Sequence, residues 1–575
     1  MTYKLKLNTL KIEIFIMNRI IECVPNISEG RNKQVIDSVV ETIKNAAEGI
    51  QVLDVDPGYD TNRTVITFVG EPEAVEEAAF QCIKKSYELI DMSAHKGAHP
   101  RQGCTDVCPI VPVKDITMEE CVEIAKRLGK RVSDELGLPV YLYENAASDE
   151  ERENLAFVRK GEYEGLSEKL SVLKPDFGPC RYNDIVKKGG AINISAREFL
   201  IAYNINLNTR DRALARDIAF AVREAGRAKR DENWKIIRYE DGTAVKIPGR
   251  LKSVKGIGWY IDEYGIAQLS FNLTNYKLTP LHVLFDASVE EAEKSGLRVT
   301  GSELIGLIPK DAILEAGRHY LKKAERNTGV PESELIHIAS KSLGLNEITP
   351  FDMNERVLEY NIFKQGQLCT MKLDDFIDEV GKDSPAPGGG SVSALAGALG
   401  AGLGSMVACL TPAKRGYEST LEPLSARSEK LISCLEKLKK GIDLDTDAFN
   451  DVMTAMRMPK KTDEEKARRR EAIQAGYKTA TLVPYDTAET CVKAIKELLE
   501  VAELGNPNSA SDVGVGALMT YAGFEGAALN VNINLPAIKD DVFRAEMKAK
   551  IETLRAKAIE YRDEVLAAVN KHIGI

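Results

Sequence analysis

Two histidines in one short stretch are the first residues whose type and spacing suggest proton-transfer chemistry. His95 and His99 lie in DMSAHKGAHPRQGCTD, which also carries Lys96 and Arg101. Its glycines predict a loop, and Pro100 disfavours a helix at the residue before it. An imidazole exchanges protons near neutral pH, and the two cations would suit an anionic substrate. The alternative interpretation is an ordinary solvent-exposed loop.

A carboxylate on an apolar helix face is the second candidate. Ile442 and Val452 recur at helical spacing in the last third of the chain, and Asp445 falls on the same stripe. Asp443 and Asp447 project to the other side of the predicted helix, where we expect them to be solvated. A desolvated carboxylate has a raised pKa and can act as a general acid or base. A structural ion pair with a Lys or Arg of another helix is the alternative.

Four polar loops accompany these candidates. PNISEGR (25–31) and DVDPGYDTNRT (54–64) follow predicted strands and could line one cleft with the histidine loop, although each alone is an ordinary turn signal. The basic, Gly- and Pro-containing stretch 176–190 indicates either a ligand cleft or a flexible linker. PAPGGGS (385–391) precedes a helix and could hold an anion or the edge of a pteridine-like ring, but it lacks the signature of a phosphate-binding loop.

The elements that must position these residues divide the chain into unlike parts. Residues 18–197 alternate strand and helix signals in the order β-α-β-β-α-β-α-β, and residues 198–362 repeat this rhythm. We therefore predict two ferredoxin-like α/β sandwich subdomains of the split βαβ kind. Residues 1–17 are interpreted as an N-terminal extension and 363–371 as a linker. Residues 372–575 carry only helical patterns, with a break expected at Pro484, and predict an all-α helical domain.

Composition excludes several classes of protein. The net charge of −10 gives no general reason to bind nucleic acid. The ten cysteines form no CxxC pair, so free thiols in a reducing cytoplasm are expected, with no metal site. Residues 384–413 are uncharged and long enough to span a membrane, but their many glycines favour a buried helix–helix contact. No signal peptide is predicted at the N-terminus.

Long motifs resemble a known family. The stretches ECVPNISEGR, DVDPGYDTNRT, DMSAHKGAHPR, VCPIVPV, PVYLYENAA, PDFGP, FLIAYNINL and KGIGWYID resemble glutamate formiminotransferases. The stretches SPAPGGGSVSA, DLDTDAF and NSASDVG resemble formiminotetrahydrofolate cyclodeaminases. Both sets in this order, from Asn18 to the C-terminus, resemble the bifunctional formiminotransferase-cyclodeaminases.

The resemblance implies two activities and two catalytic residues. The first half would transfer the formimino group of N-formimino-L-glutamate to tetrahydrofolate, with His99 as its catalytic residue. The second half would cyclise formiminotetrahydrofolate to methenyltetrahydrofolate and release ammonia, with Asp445 as its catalytic residue. A methenyltetrahydrofolate cyclohydrolase activity of the helical half is the enzymatic alternative, and a non-catalytic folate-binding scaffold is the non-enzymatic one.

The resemblance also implies ligand contacts and an assembly. Tetrahydrofolate would be the co-substrate, in polyglutamylated form, without a metal ion. The family assembles as a ring-shaped octamer, which implies a homo-oligomer. The implied folate contacts of the first half are Gly178, Pro179, Cys180, Arg181, Tyr182, Lys187, Gly189 and Gly190. Those of the second half are Ala472, Ile473, Gln474, Gly476, Tyr477, Lys478 and Ala480.

Overall fold

The computed structural model describes residues 19–97, 99–362 and 366–574. The predicted N-terminal extension and the first residues of the predicted linker lie outside these ranges. Contacts divide the chain into two units, one with residues up to 313 and 343–363, the other with residues 314–342 and 364–575. An α/β region is followed by an all-helical region, as the sequence predicts. The exact domain bounds stay a prediction.

The first α/β subdomain is built on a seven-stranded sheet. Strands β3, β4, β1 and β5 pair antiparallel in this order, which is the ferredoxin-like arrangement. Strands β7 and β6 extend the sheet in parallel beyond β5. Strand β7 was not foreseen, because it is short and follows a basic loop. The elements are β1 (Ile20–Cys23), β2 (Asn26–Ile27), α1 (Lys33–Lys44), β3 (Gln51–Gly58), β4 (Arg63–Gly70), α2 (Pro72–Leu89), β5 (Thr105–Lys114), α3 (Met118–Leu136), β6 (Val140–Glu144), α4 (Leu155–Val158), α5 (Leu166–Val172), α6 (Asp184–Gly189) and β7 (Ile192–Ala196).

The second α/β subdomain repeats the arrangement with four main strands. Their order is β11-β12-β8-β13, and every neighbouring pair is antiparallel. The predicted hairpin turns at Gly265, whose φ of 66° suits glycine. The elements are β8 (Ile201–Leu207), α7 (Arg212–Val222), β9 (Arg227–Ala228), β10 (Lys246–Ile247), β11 (Val254–Ile261), β12 (Ile266–Leu273), α8 (Leu281–Lys294) and β13 (Val299–Ile305), followed by α9 (Lys310–Lys323), α10 (Glu332–Ser342), α11 (Met353–Arg356) and α12 (Leu358–Ile362).

The last third of the chain consists of long helices. They are α13 (Leu373–Gly381), α14 (Gly389–Leu410), α15 (Leu421–Arg457), α16 (Asp463–Leu504), α17 (Ala510–Asn534) and α18 (Asp541–Ile573). Buried apolar residues of α14 to α18 form one shared core. The core is rich in alanine, which lets the helix axes approach closely.

The expected break at Pro484 is wrong. Helix α16 continues through this proline. A proline inside a helix leaves the carbonyl four residues earlier without its donor. That carbonyl belongs to Ala480, and the Asn534 side chain donates a hydrogen bond of 2.7 Å to it. The donor comes from another helix, so it could not be read from the local sequence.

Helix α14 packs through its small residues, as predicted. A Cβ atom at Gly397 would lie 2.6 Å from the sulfur of Cys491, and one at Gly400 would lie 2.0 Å from the Thr520 hydroxyl. By length and composition alone this helix could cross a membrane, yet 56% of its most apolar window is buried inside the protein. Its apolar character therefore serves contacts with neighbouring helices.

Residues 314–342 belong by their contacts to the helical unit. In the loop between α9 and α10, the Asn327 amide donates to the Ala408 carbonyl at 3.0 Å and accepts from the Ser428 hydroxyl at 2.7 Å. The Ser405 hydroxyl donates to the Gly329 carbonyl at 2.8 Å. The sequence-based division did not foresee these contacts, because single polar side chains in a loop leave no periodic pattern.

The close packing of α14 predicts the effect of one methyl group. Gly400→Ala should destabilise the helical unit by about 1–3 kcal/mol, the usual effect of overpacking a core, because its Cβ would collide with α17. Gly402→Ala, two residues along, is the control. Its Cβ meets only the end of the Leu435 side chain at 3.3 Å, and alanine favours a helix. Urea unfolding followed by circular dichroism measures both, and equal stability of the two variants would contradict the packing.

Candidate active sites

The three polar loops of the first subdomain meet at one side chain. The Asn62 amide accepts a hydrogen bond from the Gly30 N–H at 3.0 Å and donates one to the Lys96 carbonyl at 3.0 Å. Nε2 of the His95 ring lies 2.9 Å from the backbone carbonyl oxygen of Asn62. The structure therefore brings loops 25–31, 54–64 and the histidine loop to one edge of the sheet, as hypothesised from the sequence.

His95 and Arg101 are engaged with protein groups. The Arg101 guanidinium donates to Nδ1 of His95 at 3.2 Å and makes two hydrogen bonds of 2.7 and 2.8 Å to the Glu164 carboxylate. Burial lowers the pKa of His95. Because Glu164 and His95 occupy these donors, the structure disfavours Arg101 as the group that holds an anionic substrate, and that role stays a prediction. Sequence spacing could not reveal a partner 63 residues away.

His99 has one ring nitrogen engaged and the other available. Its Nδ1 lies 2.7 Å from the Pro100 carbonyl, so this nitrogen must carry the proton. Nε2 is then the unprotonated nitrogen. Burial, and next the Arg63 guanidinium, lower the pKa of His99 to about 4. The imidazole is therefore neutral at physiological pH, which is the form of a general base.

A buried carboxylate organises the cations around His99. The Asp106 side chain is fully buried and lies 2.6 Å from Nη1 of Arg63 and 3.6 Å from the guanidinium of Arg159. It also accepts the Gln102 N–H at 2.9 Å. Burial alone would raise the pKa of Asp106, but Arg63 and Arg159 hold it below the ordinary value. The sequence analysis included Arg63 only as part of loop 54–64, and it did not single out Asp106 or Arg159. Asp106 lies at the start of β5 and Arg159 directly follows the short helix α4, so neither belongs to a recognisable site pattern.

The predicted folate loop of the first half joins the histidine loop. The Met92 N–H donates to the Lys188 carbonyl and the Cys104 N–H to the Gly189 carbonyl, both at 2.8 Å. Gly189 and Gly190 are buried, and a Cβ at Gly190 would lie 2.2 Å from the Gln102 carbonyl. These two positions require glycine because neighbouring groups leave no room for a side chain.

The other predicted members of this loop are accessible. Among them Pro179 is partly buried and the rest are exposed, namely Gly178, Cys180, Arg181, Tyr182 and Lys187. Gly178 has a φ of 96° and approaches the Leu138 carbonyl. Folate contacts of these residues stay a prediction.

Asp445 lies against the first turn of α14. Its carboxylate accepts the Ser391 N–H at 3.1 Å. A Cβ at Gly390 would lie only 2.0–2.3 Å from the carboxylate atoms, so this glycine makes room for it. Burial raises the pKa of Asp445, and the hydrogen bond from Ser391 lowers it in part. No cation is paired with Asp445 among the ion pairs of the described residues, which disfavours the structural alternative.

Asp443 is not the solvated neighbour expected from the sequence. It does project away from Asp445, but its two oxygens accept the N–H groups of Leu368 and Cys369 at 2.8 and 3.0 Å. A Cβ at Gly366 would collide with this carboxylate. Asp443 therefore anchors the segment that enters the helical domain, whereas Asp447 is exposed as expected.

The predicted folate stretch 472–480 lies on α16 and is partly committed to its neighbours. Gln474 donates to the Ala537 carbonyl at 2.9 Å and accepts the Lys539 N–H at 2.7 Å. Lys478 pairs with Asp540 at 2.7 Å. All the named residues are partly buried, including Ala472, Ile473, Tyr477 and Ala480.

This stretch lies two helical turns from the candidate catalytic carboxylate. A Cβ at Gly476 would lie 3.2 Å from the Val452 side chain, and Val452 follows Asp445 by two turns, about 10 Å, on α15. No hydrogen bond of the described residues joins the stretch to Asp445. Its folate contacts also stay a prediction.

Within residues 19–97, 99–362 and 366–574, no group of three or more His, Cys, Asp or Glu side chains could hold a metal ion. Cys104 and Cys108 are both buried as free thiols, like most of the other cysteines.

Three family models match the chain in succession. The formiminotransferase domain, N-terminal subdomain, matches residues 20–197, the formiminotransferase domain matches 202–363, and formiminotransferase-cyclodeaminase matches 372–553. The chain is 44% identical to the formimidoyltransferase-cyclodeaminase of Gallus gallus over 96% of this chain and 99% of that protein.

Single-activity relatives match the two parts separately. The glutamate formimidoyltransferase of Streptococcus pyogenes is 42% identical over 53% of this chain and 94% of its own length. The methenyltetrahydrofolate cyclohydrolase of Methylorubrum extorquens is 39% identical over 35% of this chain and 97% of its own length. Since family models and a full-length relative agree along nearly the whole sequence, the chain belongs to the formimidoyltransferase-cyclodeaminase family.

Proposed function

We propose that the chain transfers the formimino group of N-formimino-L-glutamate to tetrahydrofolate and then cyclises the product to 5,10-methenyltetrahydrofolate with release of ammonia. The observation that carries this proposal is the presence of one desolvated proton-transfer group in each candidate site, His99 and Asp445. Both reactions move protons between nitrogens, and neither needs a redox group. The family relationship supports the same pair of reactions.

His99 acts as base and then as acid in the transfer. Its unprotonated Nε2 accepts the proton of N5 of tetrahydrofolate while N5 attacks the formimino carbon. The imidazolium then donates this proton to the glutamate nitrogen, so that the bond from the formimino carbon to glutamate breaks. The hydrogen bond from Nδ1 to the Pro100 carbonyl fixes the ring and its tautomer throughout.

Asp445 moves protons in the cyclisation. N10 of the folate attacks the carbon of the protonated formimino group, N5–CH=NH₂⁺, and loses a proton. The formimino nitrogen gains that proton and leaves as NH₃, so that the positive charge stays on the methenyl bridge between N5 and N10. Burial raises the pKa of the Asp445 carboxyl group, so it takes up and returns a proton more readily than a solvated aspartate does. The Ser391 N–H fixes the carboxylate on the first turn of α14.

Tetrahydrofolate is the common co-substrate of both steps in this proposal. We propose that a polyglutamylated form binds, that no metal ion takes part, and that the chain acts in the cytoplasm. Gly178–Gly190 and Ala472–Ala480 are the proposed folate-contacting stretches. The exposed Arg181 and Lys187 of the first stretch would favour an anionic polyglutamate tail.

A homo-oligomer is the proposed state of assembly, and the ring-shaped octamer of the family is its proposed form. Helices α14 and α17 each carry large apolar side chains on their outer faces, which is unusual for an unpartnered surface. The side chains are Val392, Leu399, Met406 and Leu410 on α14 and Val515, Leu518, Leu529 and Ile533 on α17. We propose that another copy of the chain covers these apolar faces of α14 and α17.

A cyclohydrolase activity is the second candidate for the helical domain. The similarity to a methenyltetrahydrofolate cyclohydrolase over 97% of that protein favours it. Supplied 5,10-methenyltetrahydrofolate tests this directly, since its loss to 10-formyltetrahydrofolate is followed by absorbance. Hydrolysis faster than in buffer would support the cyclohydrolase, and stable methenyltetrahydrofolate would support the cyclodeaminase.

Removal of the imidazole tests the transferase site. His99→Ala should reduce formimino transfer by about two to four orders of magnitude, the usual contribution of a general acid–base group. Cyclisation of supplied formiminotetrahydrofolate should continue at its normal rate. Glutamate release and ammonia release measure the two steps separately.

The control and the pH profile sharpen this test. His337→Ala, which removes an exposed histidine, should leave both rates unchanged. Because His99 with a pKa of about 4 is unprotonated above that pH, kcat/KM for transfer should not fall through a His99 titration between pH 8 and about 5. Near-normal transfer by His99→Ala would reject the assignment.

Replacement of a carboxylate by its amide tests the cyclodeaminase site. Asp445→Asn keeps the shape of the side chain but removes the exchangeable proton, so ammonia release should be lost while formimino transfer continues. Asp447→Asn, on the exposed side of the same helix, is the matched control and should retain ammonia release. Asp443→Asn should lower stability rather than chemistry, because one backbone N–H loses its acceptor. Ammonia release by Asp445→Asn at the normal rate would contradict the proposal.

The close contact between Gly390 and Asp445 predicts that a side chain at position 390 changes the pH dependence of deamination. Gly390→Ala should push the Asp445 carboxylate away from the Ser391 N–H, which removes a bond that favours the ionised form. The pKa of Asp445 should therefore rise, and the corresponding limb of the deamination profile should move to higher pH. Gly388→Ala is the control, because its Cβ would have only one neighbour, at 3.8 Å. An unchanged profile in Gly390→Ala would show that the contact is unimportant.

A further inference from the structure

We propose that Arg159 binds the α-carboxylate of the formimino donor, beside the catalytic imidazole. This inference rests on the proposed transferase function and assigns a substrate-binding role to a residue outside the recognised motifs. It is carried by the position of the guanidinium, by its burial and by its incomplete set of hydrogen bonds.

Arg159 and His99 share one acceptor. The Pro100 carbonyl oxygen accepts a hydrogen bond of 3.3 Å from Nη1 of Arg159 and another of 2.7 Å from Nδ1 of His99. The guanidinium and the imidazole are therefore adjacent, because both are hydrogen-bonded to the same carbonyl oxygen. A ligand group bound by Arg159 would lie next to the group that moves the protons.

The Arg159 guanidinium is mostly removed from solvent, but few of its donors have a hydrogen-bond acceptor. Its side chain is 14% exposed, and its distance to the Asp106 carboxylate is 3.6 Å, longer than a hydrogen bond. Its Nε is buried and has no hydrogen-bond partner within the described part of the chain. A buried donor of this kind is costly unless a ligand completes it. Arginine presents its donors in a fork that matches a carboxylate.

The other cations around Asp106 and His99 already have partners. Arg63 contacts Asp106 at 2.6 Å and Asn26 at 3.1 Å. Arg101 makes two bonds to Glu164, as described above. Lys169 donates to the Val158 carbonyl, and burial lowers its pKa to about 7. Arg159 is therefore the cation of this cluster with the most unused donor capacity.

The chemistry of the donor fits this position. In N-formimino-L-glutamate the nitrogen that must be protonated is attached to the same carbon as the α-carboxylate. A cation adjacent to the proton donor would therefore receive the α-carboxylate when the nitrogen faces His99. The distal carboxylate, at the end of a flexible chain, has no such constraint.

A comparison of two donors tests the assignment. The substrates are N-formimino-L-glutamate and N-formimino-4-aminobutyrate, which lacks the α-carboxylate and keeps the distal one. Wild-type chain should prefer the first by about ten- to a hundredfold in kcat/KM, the expected effect of a charge-assisted hydrogen-bonded pair. Arg159→Gln should raise KM for formiminoglutamate by a similar factor, leave KM for tetrahydrofolate unchanged, and reduce the preference towards one.

Controls separate a binding role from a structural one. Arg159→Lys keeps the charge without the fork and should show an intermediate preference, which decides the matter if Arg159→Gln does not fold. Arg216→Gln, an exposed arginine of α7, should keep the wild-type preference. An undiminished preference in the Arg159 variants, or an equal loss with both donors, would overturn the inference. Absence of transfer by the wild type with either donor would instead overturn the proposed function, and this inference with it.

Discussion

Removal of one titratable side chain from bulk water, in each of two units, is the constraint on which both candidate sites depend. Burial favours the neutral form of any ionisable group, so it lowers the pKa of an imidazole and raises that of a carboxyl group. His99 is therefore an unprotonated base at physiological pH, and Asp445 is more easily protonated than a solvated aspartate. Burial thus prepares both His99, which is cationic when charged, and Asp445, which is anionic when charged, for proton transfer between nitrogens.

Backbone groups hold both side chains, and within the described part of the chain neither side chain forms an ion pair with an oppositely charged group. The Pro100 carbonyl fixes the His99 ring, and the Ser391 N–H fixes the Asp445 carboxylate. A strong ion pair would have pulled each pKa back towards the charged form. The charged partners in the first site are one step removed, where Asp106 holds Arg63 and faces Arg159.

The sequence was informative wherever a pattern repeats or a motif is long. Both ferredoxin-like arrangements, the helical domain, the histidine loop and the helical phase of Asp445 could be predicted in this way. The role of Asp443 could not, because its partners Leu368 and Cys369 lie 75 and 74 residues away in a segment without periodicity.

Contacts that cross the fold explain the other differences. The continuity of α16 depends on Asn534, which satisfies the carbonyl that Pro484 leaves without a donor. Arg101 has the charge expected of a residue that binds an anionic substrate, but its guanidinium donates two hydrogen bonds to Glu164. Arg159 carries no motif at all, and only its unsatisfied burial beside Pro100 distinguishes it. In each case one polar partner from a distant segment decides the role of the residue.

The most direct test of the account follows the formimino nitrogen through both reactions. Purified chain is given tetrahydrofolate and formiminoglutamate labelled with ¹⁵N in the formimino group, and glutamate, ammonia and methenyltetrahydrofolate are measured in parallel. The account predicts equal amounts of the three products, with the label in ammonia and none in glutamate. Glutamate release without labelled ammonia, or ammonia release without methenyltetrahydrofolate, would contradict the claim that one chain carries out both steps.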